Sequence, residues 1–262
     1  MKDLMAALGS IWTWLVLVIG VVIIFPLMVL SFVFTTPFDR RRRITGRLFR
    51  WAAVIPALAN PLWHFSWSGQ PPAVRRRPHV VVSNHESFAD IMLLSMLPWE
   101  MKWLAKAELF RIPVVGWMMA MAGDVPIKRG FGPSAVEAMR TCRERLAIGM
   151  SIMVFPEGTR SPRGDLLPFK DGAFRLAVEA GVPVLPLAVY GTRTALRKRG
   201  IVMRHARARA VVLEPVETAG LTLDDVPALR DRVREMVAVA RDSIAAEIAG
   251  RADPTHSSGE AE

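Results

Sequence analysis

His79-Val80-Val81-Val82-Ser83-Asn84-His85-Glu86-Ser87-Phe88-Ala89-Asp90 opens on three consecutive valines and closes on polar residues. A short β-branched run without polar alternation reads as a strand covered on both faces. Ser151–Phe155, Val184–Tyr190 and Ala210–Glu214 read the same way. Between them, Ser134–Ile148 sets Val136, Met139, Cys142 and Leu146 on one helical face, behind Pro133 and ahead of Gly149. A longer helix follows, in which Val226, Leu229, Val233, Met236, Val237, Ile244 and Ile248 recur at helical spacing between Asp224-Asp225 and Gly250. Strands alternating with helices predict an α/β fold, a largely parallel sheet flanked by helices.

Upstream of this pattern the chain is apolar. No charged residue stands between Leu4 and Phe38, and Arg40, Arg41, Arg42 and Arg43 follow at once. As one straight helix the segment would reach about 50 Å, longer than the roughly 30 Å hydrocarbon layer. Pro26 divides it, so a tilted or kinked span competes with two short helices that dip and return. If it crosses, the basic flank with Arg47 and Arg50 places the C-terminal bulk on the cytoplasmic face. Trp51–Trp67, rich in Trp and broken by Pro56 and Pro61, suits the headgroup layer, with a core helix as the alternative. The expected organisation is a membrane anchor over 1–50, an interfacial segment over 51–77, a catalytic domain over 78–250 and a disordered tail over 251–262. On this division residues 1–50 are separable from the α/β unit.

Composition removes several classes. Of 262 residues, 52% are hydrophobic, which excludes an intrinsically disordered chain. A single cysteine excludes a disulfide framework, and no CxxC or clustered Cys/His metal signature occurs. Neither a Walker loop nor GxGxxG stands in the chain, which disfavours a nucleotide site. The net charge of +10 points to a polyanionic partner: nucleic acid, an anionic membrane surface or a phosphorylated substrate. Arg193, Arg197, Lys198, Arg199, Arg204, Arg207 and Arg209 form a basic cluster without an aromatic stacking pattern, so lipid headgroups fit better than nucleic acid.

Chemistry gathers where the strands end. His85 and Asp90 stand five residues apart, and a carboxylate near an imidazole fixes its tautomer and stabilises the imidazolium. Such a pair needs no Ser or Cys nucleophile if the substrate brings a hydroxyl. The second group, Phe155-Pro156-Glu157-Gly158-Thr159-Arg160-Ser161, offers a close backbone approach at Gly158, a planar guanidinium fork at Arg160 and hydroxyls at Thr159 and Ser161. It reads as an anion-binding loop.

In their order these motifs resemble the 1-acyl-glycerol-3-phosphate acyltransferase family. The first family block, Asn-His-x-x-x-x-Asp, matches Asn84, His85 and Asp90. The second runs from Lys106, Glu108, Leu109 and Phe110 through Pro113, Gly116 and Gly123 to Ile127 and Arg129. The third matches from Phe155 to Ser161, and Val182-Pro183-Val184-Leu185-Pro186 matches the fourth. The resemblance spans about 78–190. Many members carry an acid before the second-block arginine, where this chain has Lys128.

The resemblance implies transfer of a fatty acyl group from acyl-CoA or acyl-carrier protein to the free hydroxyl of 1-acyl-glycerol-3-phosphate, giving phosphatidic acid. His85 and Asp90 would be catalytic. Arg129 and Arg160 would hold the acceptor phosphate, with Glu157, Gly158 and Thr159 shaping its pocket. The apolar stretch Pro113–Met121 would line an acyl-chain pocket, with Trp117, Met118, Met119 and Met121 as wall residues. The implied partners are a lysophospholipid acceptor, an acyl thioester donor and membrane lipids, with no metal, prosthetic group or nucleic acid. Alternative acceptors are a lyso-ornithine lipid or another lysophospholipid. From another class, the alternative is a non-catalytic binder of anionic lipid.

Overall fold

The computed structural model describes residues 2–71, 77–128, 130, 132–197 and 200–250. The tail 251–262 and the arginines at 75, 76, 129 and 199 lie outside the described residues.

The chain enters through two helices, α1 (Lys2–Thr35) and α2 (Arg43–Ala59). Pro26 does not end α1, which runs through it as one helix. Proline removes a single ladder hydrogen bond, and an apolar segment has no better way to satisfy the remaining backbone groups than to stay helical. Of the two alternatives, one continuous span and two short helices broken at Pro26, α1 is the continuous helix. The return leg of the hairpin is α2, antiparallel to α1. Near one end the Trp12 indole N–H donates to the Ala59 carbonyl (2.9 Å), and near the other the Ser31 and Thr45 hydroxyls meet at 3.0 Å.

Along its length α1 lies against the rest of the protein. The Ser10 hydroxyl accepts from the Met203 N–H (2.7 Å), Trp14 donates to the Ile201 carbonyl (2.9 Å), and Met28 is fully buried. Its opposite side exposes Leu8, Ile11, Leu15, Ile19, Val22 and Leu30. By length and apolarity α1 is long enough to cross a membrane; docked in this way it offers a continuous apolar face, a membrane-associating element.

Among the described residues seven strands form one sheet, β1 (Trp63–Ser68), β2 (Val80–Ser83), β3 (Met101–Lys106), β4 (Val125–Ile127), β5 (Ser151–Val154), β6 (Val184–Tyr190) and β7 (Ala206–Val212). Their spatial order is β1-β7-β6-β2-β5-β3-β4. Every pairing is parallel except β6 with β7. The helices α3 (Ala89–Ser95), α4 (Val115–Ala122), α5 (Gly132–Ala147), α6 (Gly172–Ala180), α7 (Thr192–Ala195) and α8 (Val226–Gly250) complete the fold.

Both sheet faces are covered, which is why β2 shows no polar alternation. Val80 and Val82 point into a core shared with Cys142, Leu146, Phe174, Leu229 and Val233 of α5, α6 and α8. Val81 points the other way, among Leu93, Leu94, Leu97 and Trp103. The segment expected to be one interfacial unit is divided: its first part belongs to α2, and Trp63–Ser68 is the edge strand β1, paired in register with β7 from Trp63↔Ala206 to Ser68↔Val211. The last expected strand also moves, from 210–214 to Ala206–Val212.

Candidate active site

The central strand β2 ends at Ser83, and its next residues form a turn ahead of α3. Asn84 locks this turn to the neighbouring strand. Its side-chain amide donates to the Val189 carbonyl (2.8 Å) and accepts from the Val189 N–H (2.8 Å), taking the place of one more pair of the parallel ladder. The carboxyl ends of strands in an α/β sheet are where ligand crevices open.

In that turn His85 Nδ1 lies 2.7 Å from Asp90 Oδ2. The same oxygen accepts from the backbone N–H groups of Glu86 (2.7 Å) and Ser87 (2.9 Å), and Oδ1 accepts from the Thr192 hydroxyl. Asp90 is fully buried, while the His85 side chain keeps 12% exposure. With Nδ1 committed to Asp90, Nε2 is the nitrogen left to meet a substrate. The imidazole stacks on the Phe155 ring, centroids 4.0 Å apart and planes 16° apart, which fixes its rotation.

Phe155 opens the second motif at the end of β5, the strand beside β2. Glu157 turns inward rather than toward an open pocket. It is buried, and its Oε1 accepts from the His85 backbone N–H (2.7 Å) while Oε2 accepts from Leu167 (3.3 Å). The Ser161 N–H returns the link by donating to the His85 carbonyl (3.0 Å). Burial pushes the Glu157 carboxyl up to about 7, against the pull of its two N–H donors. Gly158 has φ 71°, a left-handed conformation that calls for glycine, and it packs beside the Lys170 side chain. Thr159 is exposed and Arg160 half-buried.

Neither Thr192 nor Glu86 stood out in the sequence. Thr192 follows the fourth motif with nothing to mark it, and only the neighbouring positions of β6 and β2 bring it to Asp90. Glu86 is buried beside Asp90; burial first and the Asp90 charge second raise it to about 7, although Arg241 stands 3.2 Å away.

An apolar cavity of about 270 Å³ opens beside the turn, lined by Phe88, Ile91 and Met92 on one wall and Val115, Met118 and Met119 on another. Of the four expected wall residues, Met118 and Met119 line it, and Trp117 and Met121 do not. Helical spacing is the cause: positions 115, 118 and 119 share one face of α4, whereas Trp117 and Met121 turn toward α1, Trp117 lying 6.0 Å from Phe25 and half exposed. Among the expected acceptor ligands, Arg129 lies outside the described residues.

Residues 65–190 match the Acyltransferase family. A chloroplastic 1-acyl-sn-glycerol-3-phosphate acyltransferase of Brassica napus is 36% identical over 218 residues, covering 81% of this chain and 62% of that protein. The human 1-acyl-sn-glycerol-3-phosphate acyltransferase alpha is 40% identical over 169 residues, covering 63% of this chain and 60% of its own length. The chain thus spans about three-fifths of the length of these curated relatives. The crystal structure of the 1-acyl-sn-glycerophosphate acyltransferase PlsC from Thermotoga maritima superposes with a TM-score of 0.76 at 26% identity, covering 94% of this chain and 98% of that one.

Proposed function

We propose, from its likeness to 1-acyl-sn-glycerol-3-phosphate acyltransferases, that this chain moves a fatty acyl group from an acyl thioester to the free hydroxyl of 1-acyl-glycerol-3-phosphate. The product is phosphatidic acid. The observation that carries the reading is the His85–Asp90 pair, 2.7 Å apart at the end of the central strand, beside an apolar cavity. His85 Nε2 takes the hydroxyl proton as the acceptor oxygen attacks the thioester carbonyl. The tetrahedral species then collapses, the carbon–sulfur bond breaks, and the thiolate leaves with the proton that His85 had taken. Asp90 stays a hydrogen-bond acceptor throughout and stabilises the imidazolium between the two transfers. A covalent route through the lone cysteine is unsuited to the site. Cys142 is buried in the core beneath α5, and burial pushes its thiol up to about 12.

In this reading the acyl chain occupies the apolar cavity, and Arg160, with Arg129, meets the acceptor phosphate. Glu157 serves by holding the His85 backbone. The thioester donor, acyl-CoA or acyl-carrier protein, supplies the activated acyl group, so no metal or prosthetic group enters. The exposed apolar face of α1 would rest in the lipid, with the Arg40–Arg43 turn on the cytoplasmic face of the membrane.

Two measurements test this reading. In a panel of lysophosphatidic acid, lysophosphatidylethanolamine, lysophosphatidylglycerol and lyso-ornithine lipid, the phosphate monoester should show the highest kcat/KM. Arg160→Lys should lower that value more for lysophosphatidic acid than for the zwitterionic acceptors, because the ammonium keeps the charge and loses the bidentate fork. A zwitterionic acceptor ahead by about tenfold, ~1.4 kcal/mol of transition-state preference, would replace the acceptor and keep the reaction. For the tail, Met118→Phe fills part of the cavity, and stearoyl transfer should fall about tenfold further than lauroyl transfer. Equal loss with both donors would make Met118 a packing residue only.

A further inference from the structure

On the other side of the catalytic turn lies a second cavity, about 520 Å³, which the acyl-transfer chemistry leaves unassigned. Its walls carry five arginines, Arg163, Arg193, Arg197, Arg204 and Arg241, against two acids, Glu86 and Asp165. Several of these groups are held in place. Arg241 pairs with Glu86 at 3.2 Å, donates to the Gly164 carbonyl, and stands 5.3 Å from the centroid of the Tyr190 ring. Arg193 donates to the Arg163 carbonyl. Guanidiniums gathered in one concavity with an excess of positive charge form a phosphate site, and five of them exceed what one phosphate monoester engages.

Position decides which phosphates. The sheet order sets β6 beside β2, so the basic cavity at the end of β6 lies next to the catalytic turn at the end of β2. The catalytic turn itself separates the two cavities: Glu86 lines the basic one, and Phe88, Ile91 and Met92 line the apolar one. Laid across His85, a donor would need an apolar tail on one side, a thioester at the histidine and a polyanion on the other. A coenzyme A thioester has that order of parts, and its 3′-phospho-ADP end carries roughly four negative charges.

We infer that the arginine-lined cavity at the end of β6 binds the phosphates of coenzyme A and is the donor-carrier site of this enzyme. The inference rests on the acyl-transfer reading for its biological role, and binding tests it separately from catalysis.

The test uses the full chain in detergent micelles and the double variant Arg197→Ala/Arg204→Ala, whose side chains stand on the cavity wall away from the His85–Asp90 pair. Calorimetric titration with coenzyme A should show a Kd raised about tenfold or more in the variant. The KM for palmitoyl-CoA should rise in step, while the KM for lysophosphatidic acid and the rate with S-palmitoyl-pantetheine, which has no phosphate, stay within twofold. Unchanged coenzyme A binding would overturn the inference. So would a rise in the KM for lysophosphatidic acid instead, an equal loss with S-palmitoyl-pantetheine, or dependence on these arginines for acyl-carrier protein and not for coenzyme A. Coenzyme A binding that needs the arginines, in a wild-type chain that transfers from no donor, would sink the acyl-transfer reading and keep the cavity as a coenzyme A site.

Discussion

Replacing His85 with alanine is expected to lower kcat by roughly two to four orders of magnitude, the usual contribution of a positioned general base. Acceptor KM should change little, because the imidazole acts on the proton in flight and not on the phosphate or the acyl chain. Asp90→Asn separates charge from position. Its amide oxygen can still accept from the Glu86 and Ser87 N–H groups, which hold the turn at 2.7 and 2.9 Å, but the neutral amide no longer stabilises an imidazolium. A loss of about a hundredfold or more in kcat with an unchanged melting temperature is the expected result. Single-turnover transfer with enzyme in excess over acyl-CoA reads the chemical step directly. Near-native turnover in a folded His85→Ala protein would end the general-base mechanism.

The second large effect is on stability and lies under the apolar cavity. Arg50, on α2, reaches Asp124 at 2.5 Å, and both are buried. Asp124 also accepts from the Trp103 N–H (3.0 Å), and the guanidinium stands 5.2 Å from the centroid of the Trp103 ring. Glu100 and Lys102 complete a buried charged group, their side chains meeting at 3.0 Å and the Lys102 ammonium also donating to the Arg42 carbonyl (2.8 Å). Removing one partner of a buried pair leaves an uncompensated charge, so Arg50→Met should cost about 3–5 kcal/mol. Adding Asp124→Asn removes that charge, keeps an acceptor for Trp103, and should restore a substantial part of the loss. Denaturant unfolding in micelles, followed by tryptophan fluorescence, measures both. An Arg50→Met protein within about 1 kcal/mol of wild type would show that the pair contributes little. Because Arg50 belongs to this group, cutting the chain after residue 50 does not detach an independent anchor, contrary to the expected division. It takes away the partner of the buried Asp124 carboxylate.

The contrast between legible and hidden elements follows from where each one's neighbours come from. The strands β2, β5 and β6 stand in the middle of the sheet with helices on both faces, so each is predominantly apolar and could be read from its own residues. By contrast β3, Met-Lys-Trp-Leu-Ala-Lys, carries two lysines, and Lys102 is 1% exposed only because Glu100 and the Arg42 carbonyl meet it there. Nothing local announces such a partner. The short strand β4 contains Pro126 and, among the described strands, pairs with β3 alone. The arginines at 207 and 209 look like a basic cluster in the sequence, but they alternate with buried alanines at 206, 208 and 210 along β7. In β1 the Trp63, Phe65 and Trp67 positions alternate with His64 and Ser66, a period of two that a tryptophan-rich, proline-flanked composition masked. At the candidate site the residues that meet within one turn, His85 and Asp90, were close in sequence. Thr192 and Val189, which hold the turn from other elements, and Leu167, which holds Glu157, were not.

The docking of α1 sets an order of events during synthesis. Ser10 meets Met203 across 193 positions of sequence, and Trp14 meets Ile201 across 187. At roughly 5–20 residues per second on the ribosome, the first helix emerges roughly ten to forty seconds before the loop it will rest on has been translated. Through most of that interval α2 is the one element of the finished fold available to pack on it, and the rest of its apolar surface is left to lipid or a chaperone. An apolar helix left waiting in this way favours a membrane surface before the active site exists, and the rest of the domain then assembles against it.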